Sequence, residues 1–530
     1  MTRRLPLFLA ALACLALLAL SAACGKTASS SSTPAVDDDA SPVDDDVSPV
    51  DDDDDNDDND DASPGDDDLS PADDDDDATP DNYLAPWPQS NVEPRDYNEN
   101  VAAGPLRLKA EAYDAWHIEW HQPFYGGSVI TLFTDDNRTQ VASYTDEGDS
   151  SIWTGTFLGS EAMRYYVTND ADAKADAIAM VAALDGHLHV TGRPGFIARY
   201  RGPTNSLAYP GDAACEADPT CHVVTSGQYA GDFWYGATSR DQFTGWMFGM
   251  VMAYDLIDDA PTKQMIVADV TEVVHALIQQ NWLIVDVNGQ PSKTAAEILL
   301  PMQIAWLTIA YHLTGSDEFA TPLKNMLLDK ERILFELSTL NILNRYLQYY
   351  GNNLSHTNWY TLLRLGKVYF SAADYDWFQN LYVNTDETFA HLSHNAWFNG
   401  IYMSQGPYTP SPNDPCQAQL VQDLTDFLPA PNVSYALPAR TGYTLDPLSV
   451  VLYNLMTEFP FLQKIMGYVQ EQAEDAFPVP QQCSTDFLWQ RDPFVITACG
   501  VDDPAYVNPG VDYLIAYWLA EYHKYVTKNM

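Results

Sequence analysis

The sequence predicts a mainly α-helical protein: helical hairpins in a closed ring, preceded by a short β-hairpin and a long acidic tract without fixed structure. Three observations carry this reading. Apolar residues recur at helical spacing through paired segments of residues 149–530. The pairs are joined by short turns rich in Asp, Asn, Gly and Pro. Residues 24–85 hold almost no large apolar side chains, while 24 Asp crowd residues 37–81 without one Lys or Arg. Such a stretch cannot bury enough apolar surface to offset the entropy of ordering it.

The chain has 530 residues, 46% of them hydrophobic, with 31 Tyr and 13 Trp, so a sizeable core is available. Its formal charge of −49 excludes nucleic-acid backbone binding as a default role, since that rests on Lys and Arg neutralising phosphates.

Residues 1–23 read as a secretory signal. Arg3 and Arg4 precede an apolar run from Leu5 to Leu20 that is too short for a spanning helix of ~20 residues. The run ends Leu20-Ser-Ala-Ala-Cys24, which resembles the lipobox of bacterial lipoproteins. The resemblance implies acylation of Cys24, a membrane-lipid anchor, and a place in the bacterial envelope, at the outer membrane or cell surface. An ordinary signal peptide with a nearby Cys is the alternative. Residues 24–85 then form a linker in which Ser-Pro pairs (Ser41-Pro42, Ser48-Pro49, Ser63-Pro64, Ser70-Pro71) separate runs of Asp. Like-charge repulsion and proline stiffness extend such a chain. Asp51, Asp53 and Asp55 alternate as in a calcium loop, but the Gly and Glu that such a loop needs are missing. The tract is expected to bind divalent cations weakly at most.

Export permits disulfides. Cys215 and Cys221 flank a five-residue loop, and Cys483 and Cys499 bracket a second, so these are the expected pairs; Cys416 is left over.

Residues 86–148 read as a β-containing extension, with strands at Ser128–Phe133 and Thr139–Tyr144 around Asp135-Asp-Asn137. From Asp149 the helices follow in pairs: 152–167 with 171–188, 241–256 with 262–284, 295–313 with 318–340, and 357–369 with 375–390. Later candidates are 417–427, 447–459, 462–473 and 511–525. Segments such as Phe243–Tyr254 and Ile298–Tyr311 are apolar on every face, as inner helices of a ring must be. Gly245 and Gly249, four apart, mark a place where two helices approach closely.

Several of these segments resemble the turns and inner helices of six-hairpin (α/α) toroid proteins, a group of glycoside hydrolases, polysaccharide lyases and sugar epimerases. They are Asp149-Ser-Ser-Ile-Trp-Thr-Gly155 with Glu161–Tyr165, Val190-Thr-Gly-Arg-Pro-Gly195, Ser239-Arg-Asp-Gln-Phe-Thr-Gly245 and Pro509-Gly-Val-Asp-Tyr-Leu514. The resemblance covers most of residues 145–527 and implies an (α/α) toroid over 149–530 that acts on or binds carbohydrate. A closer element, Asn352-Asn-Leu-Ser-His-Thr-Asn-Trp-Tyr360, resembles the Asn-Asn-His-Gly-x-Trp-Tyr run of alginate-lyase-type toroids, with its gap two residues longer and its His displaced. That likeness implies Asn353 and His356 at a substrate carboxylate, with a Tyr as proton donor.

Hydrolysis instead needs two carboxyl groups, about 5–5.5 Å apart for retention or about 6.5–9.5 Å for inversion. Asp149, Asp241 and Asp512, at expected helix starts, are the candidates, with helix capping as the alternative for each. Trp153, Trp359, Tyr360 and Trp397 are the aromatics proposed for sugar stacking, and Arg240 and His394 the polar contacts. Arg164, Arg193, Arg199 and Arg201 serve either an acidic glycan or the chain's own carboxylates. His117-x-x-x-His121 and His187-x-His189 lack the remaining ligands of known metal motifs, so no metal and no cofactor is expected. A non-catalytic surface protein that binds glycans or a protein partner is the rival reading.

Overall fold

The structure, a computed structural model, describes residues 84–90, 92, 101–333, 345–346, 349–385, 393–405, 415–461, 469–484 and 492–530. The signal sequence, Cys24, the Asp tract, and the greater part of the 462–473 helix lie outside them.

The protein is mainly helical with two small antiparallel sheets. The helices are α1 (Pro105–Trp120), α2 (Ser150–Thr168), α3 (Ala171–His189), α4 (Asp212–Ala217), α5 (Arg240–Leu256), α6 (Ala260–Gln279), α7 (Leu300–Thr314), α8 (Asp317–Leu328), α9 (Tyr350–Tyr369), α10 (Ala372–Asn384), α11 (Ala396–Ser404), α12 (Pro415–Asp426), α13 (Pro447–Glu458) and α14 (Val511–Tyr522). Short polar residues start many of them. The side chains of Asp170, Asp259, Ser316, Ser371, Asn395 and Asp446 accept the first free N–H groups of α3, α6, α8, α10, α11 and α13. Each such cap is worth about 1 kcal/mol.

Burial divides the helices into two kinds. α2, α5, α7, α9, α11 and α14 are buried around nearly their whole circumference. α3, α6, α8, α10 and α12 bury one stripe each. α2 packs on α5, α5 on α7, α7 on α9, α9 on α11, α11 on α14, and α14 on α2. The one-sided helices α3, α6, α8, α10, α12 and α1 back these in the same order.

The α2–α5 contact is the closest, and glycine makes it possible. A Cβ on Gly155 would sit 2.1 Å from the Gly245 carbonyl oxygen, and one on Gly249 would sit 2.2 Å from that of Gly155. No side chain fits between two backbones at that spacing.

Strands β1 (Ile130–Phe133) and β2 (Val141–Thr145) form the expected hairpin. β7 (Asp503–Asn508) adds to β1, with Thr131 opposite Val507, and β6 (Asn432–Ser434) adds to β7. The second sheet has the order β3 (Tyr200–Pro203), β5 (Asp232–Tyr235), β4 (Cys221–Val223). Disulfides join Cys215 to Cys221 and Cys483 to Cys499, and Cys416 lies outside both bridges, buried. Among the described residues, no helix is long and apolar enough to cross a membrane.

Four elements differ from expectation. Residues 86–148 are built into the unit formed by residues 82–530. Helix α1, absent from the sequence reading, packs on α14: Tyr513 Oη donates to the Leu106 carbonyl at 2.9 Å, and Arg107 pairs with Glu521 at 2.7 Å. α9 starts at Tyr350, seven residues early, so Asn352, Asn353 and His356 lie within the helix rather than in a loop before it. The Asn395–Asn399 stretch, read as part of a loop cluster, caps and opens α11.

Candidate active site at the helix starts

The first turns of α2, α5 and α9 bring Asp149, Asp241 and Tyr350 together. Asp149 follows a 3₁₀ turn (Glu147–Asp149) and stands at the N-cap of α2, yet its side chain caps nothing. Its Oδ1 instead accepts from Gln242 Nε2 at 2.9 Å and lies 3.5 Å from Arg199 Nη1. The same Gln242 accepts the Ile152 N–H at 3.2 Å, so a side chain from α5 takes over the capping of α2 and leaves the Asp149 carboxylate at the surface. Arg199 is aimed by the carbonyls of Gly148 and Ala237.

Asp241 sits in the first turn of α5. Burial pushes its carboxyl above the usual range; Asp149 adds to this, and Arg240 and Arg199 oppose it. Tyr350 is exposed, and its hydroxyl is pushed up by burial and then by Asp241. Arg240 stays at the surface, its Nη1 donating to the Glu297 carbonyl at 3.3 Å. The site therefore offers two acidic side chains, Asp149 held by donors and Asp241 with its carboxyl raised by burial, together with two guanidinium groups and a phenol.

The remaining sequence candidates sit elsewhere. His356 is fully buried: its ring stacks on Phe398 at 3.8 Å and its Nδ1 donates to the Asn352 carbonyl at 2.6 Å. Burial drives it down to about 4, so it is a neutral core imidazole. Asn353 is buried and its Oδ1 accepts from Asn395 Nδ2 at 3.3 Å, tying α9 to the cap of α11. Asp512 is buried in the first turn of α14. His394 pairs with Asp423 of α12 at 2.9 Å.

The four aromatics expected to stack on sugars are corrected to core residues, since Trp153, Trp359, Tyr360 and Trp397 are 1–3% exposed. Trp397 and Tyr360 pack against Phe248 of α5 in edge-on contacts, and Trp359 packs on Phe378 of α10. On helices that are apolar all round, an indole is directed inward as readily as outward. Three of the arginines pair within the chain: Arg164 with Glu161 and Asp170, Arg201 with Asp232, Arg199 with Asp149. His117 and His121 are buried, bonded to the Pro509 and Val129 carbonyls.

Sequence reasoning missed Gln242 as the group that frees Asp149. It also missed Glu147, whose carboxyl burial pushes up to about 7. At the other ends of α9, α11 and α14, a pocket of about 60 Å³ is lined by Arg364, Lys367, Gln405, Tyr522 and His523, with room for a few waters rather than a sugar ring. No protein-family model, curated protein or solved structure matches the chain.

Proposed function

We propose that this chain is an envelope-anchored lipoprotein whose helical domain is an (α/α) toroid that hydrolyses glycans at the mouth formed by Asp149 and Asp241. Support for the ring comes from the order of contacts: six helices buried around nearly their whole circumference follow one another from α2 to α14, and α14 returns to α2. Each is backed by a helix buried on one side only, the pattern a closed ring of hairpins requires.

The observation that carries the enzymatic reading is the Asp149–Asp241 pair at neighbouring helix starts. Glycoside hydrolysis needs one protonated and one ionised carboxyl group flanking the bond. Asp241, whose carboxyl is raised, takes the role of general acid. Asp149, held by Gln242 and Arg199, takes that of base or nucleophile. Arg240 and Tyr350 would contact the sugar. The lyase version has less support, because His356 and Asn353 are enclosed by α9, α11 and Phe398. The anchor rests on Cys24 and its lipobox-like context, and is tested by mass spectrometry of the mature N-terminus, where an unmodified Cys24 rejects it.

A second reading is a non-catalytic glycan-binding or protein-interaction lipoprotein. The burial of His356, Asp512 and the four aromatics favours it, since those groups are withdrawn from any ligand. One assay separates the readings: the protein is incubated with neutral and uronate polysaccharides, and reducing ends and absorbance near about 235 nm (the unsaturated product of elimination) are followed. New reducing ends without absorbance support hydrolysis; absorbance supports the lyase; silence in both channels supports the second reading.

A further inference from the structure

We propose that Asp185, His189 and Asp269, with Glu272 beside them, form a binding site for a first-row divalent metal ion of the zinc type. This site is separate from the glycan reading and does not depend on it.

The donors come from two helices that pack on each other, α3 and α6. Asp185 and His189 are four residues apart and share one face of α3; Asp269 and Glu272 are three apart and share one face of α6. One ligand atom from each of Asp185, His189 and Asp269 lies within 4.8 Å of the others. His189 Nδ1 lies 3.0 Å from the Asp185 carbonyl, to which it donates, and 3.0 Å from Asp185 Oδ1, so Nε2, 3.8 Å from Glu272 Oε2, is the nitrogen left for an ion. With metal–ligand bonds near 2.0–2.2 Å, tetrahedral ligands stand about 3.4 Å apart, so small side-chain rotations bring these groups into a coordination shell.

A second observation points to a ligand. Asp269 is only 3% exposed, and its Oδ2 has no hydrogen-bond partner among the described residues. A buried carboxylate oxygen left unpaired is costly, and a cation is the partner that removes the cost. Glu272 is pre-positioned: its Oε1 accepts the Gly195 N–H at 3.0 Å, which leaves Oε2 towards His189. His189 is exposed enough to admit an ion, whereas His187, two residues earlier, is buried against Ser151. An imidazole with carboxylates suits Zn²⁺ or Mn²⁺, and a pure oxygen set would have suited Ca²⁺.

The test is calorimetric titration of the full chain with Zn²⁺ in physiological salt and excess Ca²⁺, which occupies the Asp tract. The wild type is expected to show one saturable site per chain, and Asp269→Asn and His189→Ala to weaken it at least tenfold. Co²⁺ in place of Zn²⁺ is expected to give visible absorption bands in the wild type and lose them in both variants. His189 is partly exposed, so His189→Ala reports on binding even where a core variant fails to fold. Identical isotherms for the wild type and His189→Ala, or the absence of a saturable site above the tract's background, overturns the proposal.

Discussion

Asp255 of α5 and Arg364 of α9 form an ion pair inside the helical domain, with Arg364 Nη1 2.5 Å from Asp255 Oδ2. His312 of α7 holds the other carboxylate oxygen at 2.7 Å, so one carboxylate links three of the most buried helices. Both side chains of the pair are 5–6% exposed.

That pair predicts an acid-sensitive stability term. Burial pushes the Asp255 carboxyl up, but Arg364 and His312 outweigh it and hold the group below the usual carboxylate range. The stabilisation is therefore complete above the unfolded value of about 4 and disappears as pH falls below it. Asp255→Asn should cost about 3–5 kcal/mol at neutral pH, because it removes the carboxylate that compensates the buried Arg364 charge. Replacing both partners with apolar residues should cost less than the single change. Urea unfolding of the wild type and the two variants at neutral and acidic pH checks this.

His117 predicts a second pH effect at a higher range. Burial drives it down to about 4 in the folded protein, against an unfolded value of about 6.5. Its contribution is complete above that unfolded value and falls as pH drops towards 4, by up to about 1.4 kcal/mol per unit. Glu147, raised to about 7, acts in the opposite sense, so the comparison must be a difference. The stability difference between the wild type and His117→Gln should change with pH between 6.5 and 4 and be flat above 7.

The α2–α5 contact is a packing device. A Cβ on Gly245 would meet the Ile152 carbonyl oxygen at 2.3 Å, so Gly245→Ala forces two backbones apart. The expected loss is about 1–3 kcal/mol or more, read as a lower urea midpoint with an unchanged slope.

The Cys483–Cys499 bridge closes a loop with a sequence separation of 16. Its removal in the double Ser variant should cost about 3 kcal/mol by the loop-entropy estimate. Cys416, buried beside Asn399, should resist thiol reagents until the protein unfolds. Its reaction at the rate of an exposed thiol would place it at the surface.

The helix pairs were legible because period-3.6 apolar patterns and Asp, Ser or Pro at the turns repeat from α2 to α10. α1 was not, because its polar residues and the His117–His121 spacing obscured the apolar stripe that meets α14. α9 begins early because packing overrides the low helix propensity of Gly351, Asn352 and Asn353. The Asp149 and Asp241 candidates were visible as helix starts. What frees Asp149 was not, since Gln242 lies 93 residues away in sequence. The inward direction of Trp359 and Trp397 was hidden for a different reason: a helix apolar on every face carries no mark of which side meets the core.

The most direct measurement of the account is the rate at which reducing ends appear from polysaccharide with the wild type, Asp149→Asn and Asp241→Asn. Asp149 makes no cap, so Asp149→Asn should melt close to the wild type, and the folding of Asp241→Asn is checked by the same melt. The account predicts hydrolysis by the wild type and a loss of at least about a hundredfold in each variant, the scale of general acid–base catalysis. Undiminished product formation in either variant, or a wild type inert across neutral and uronate polysaccharides, would contradict it.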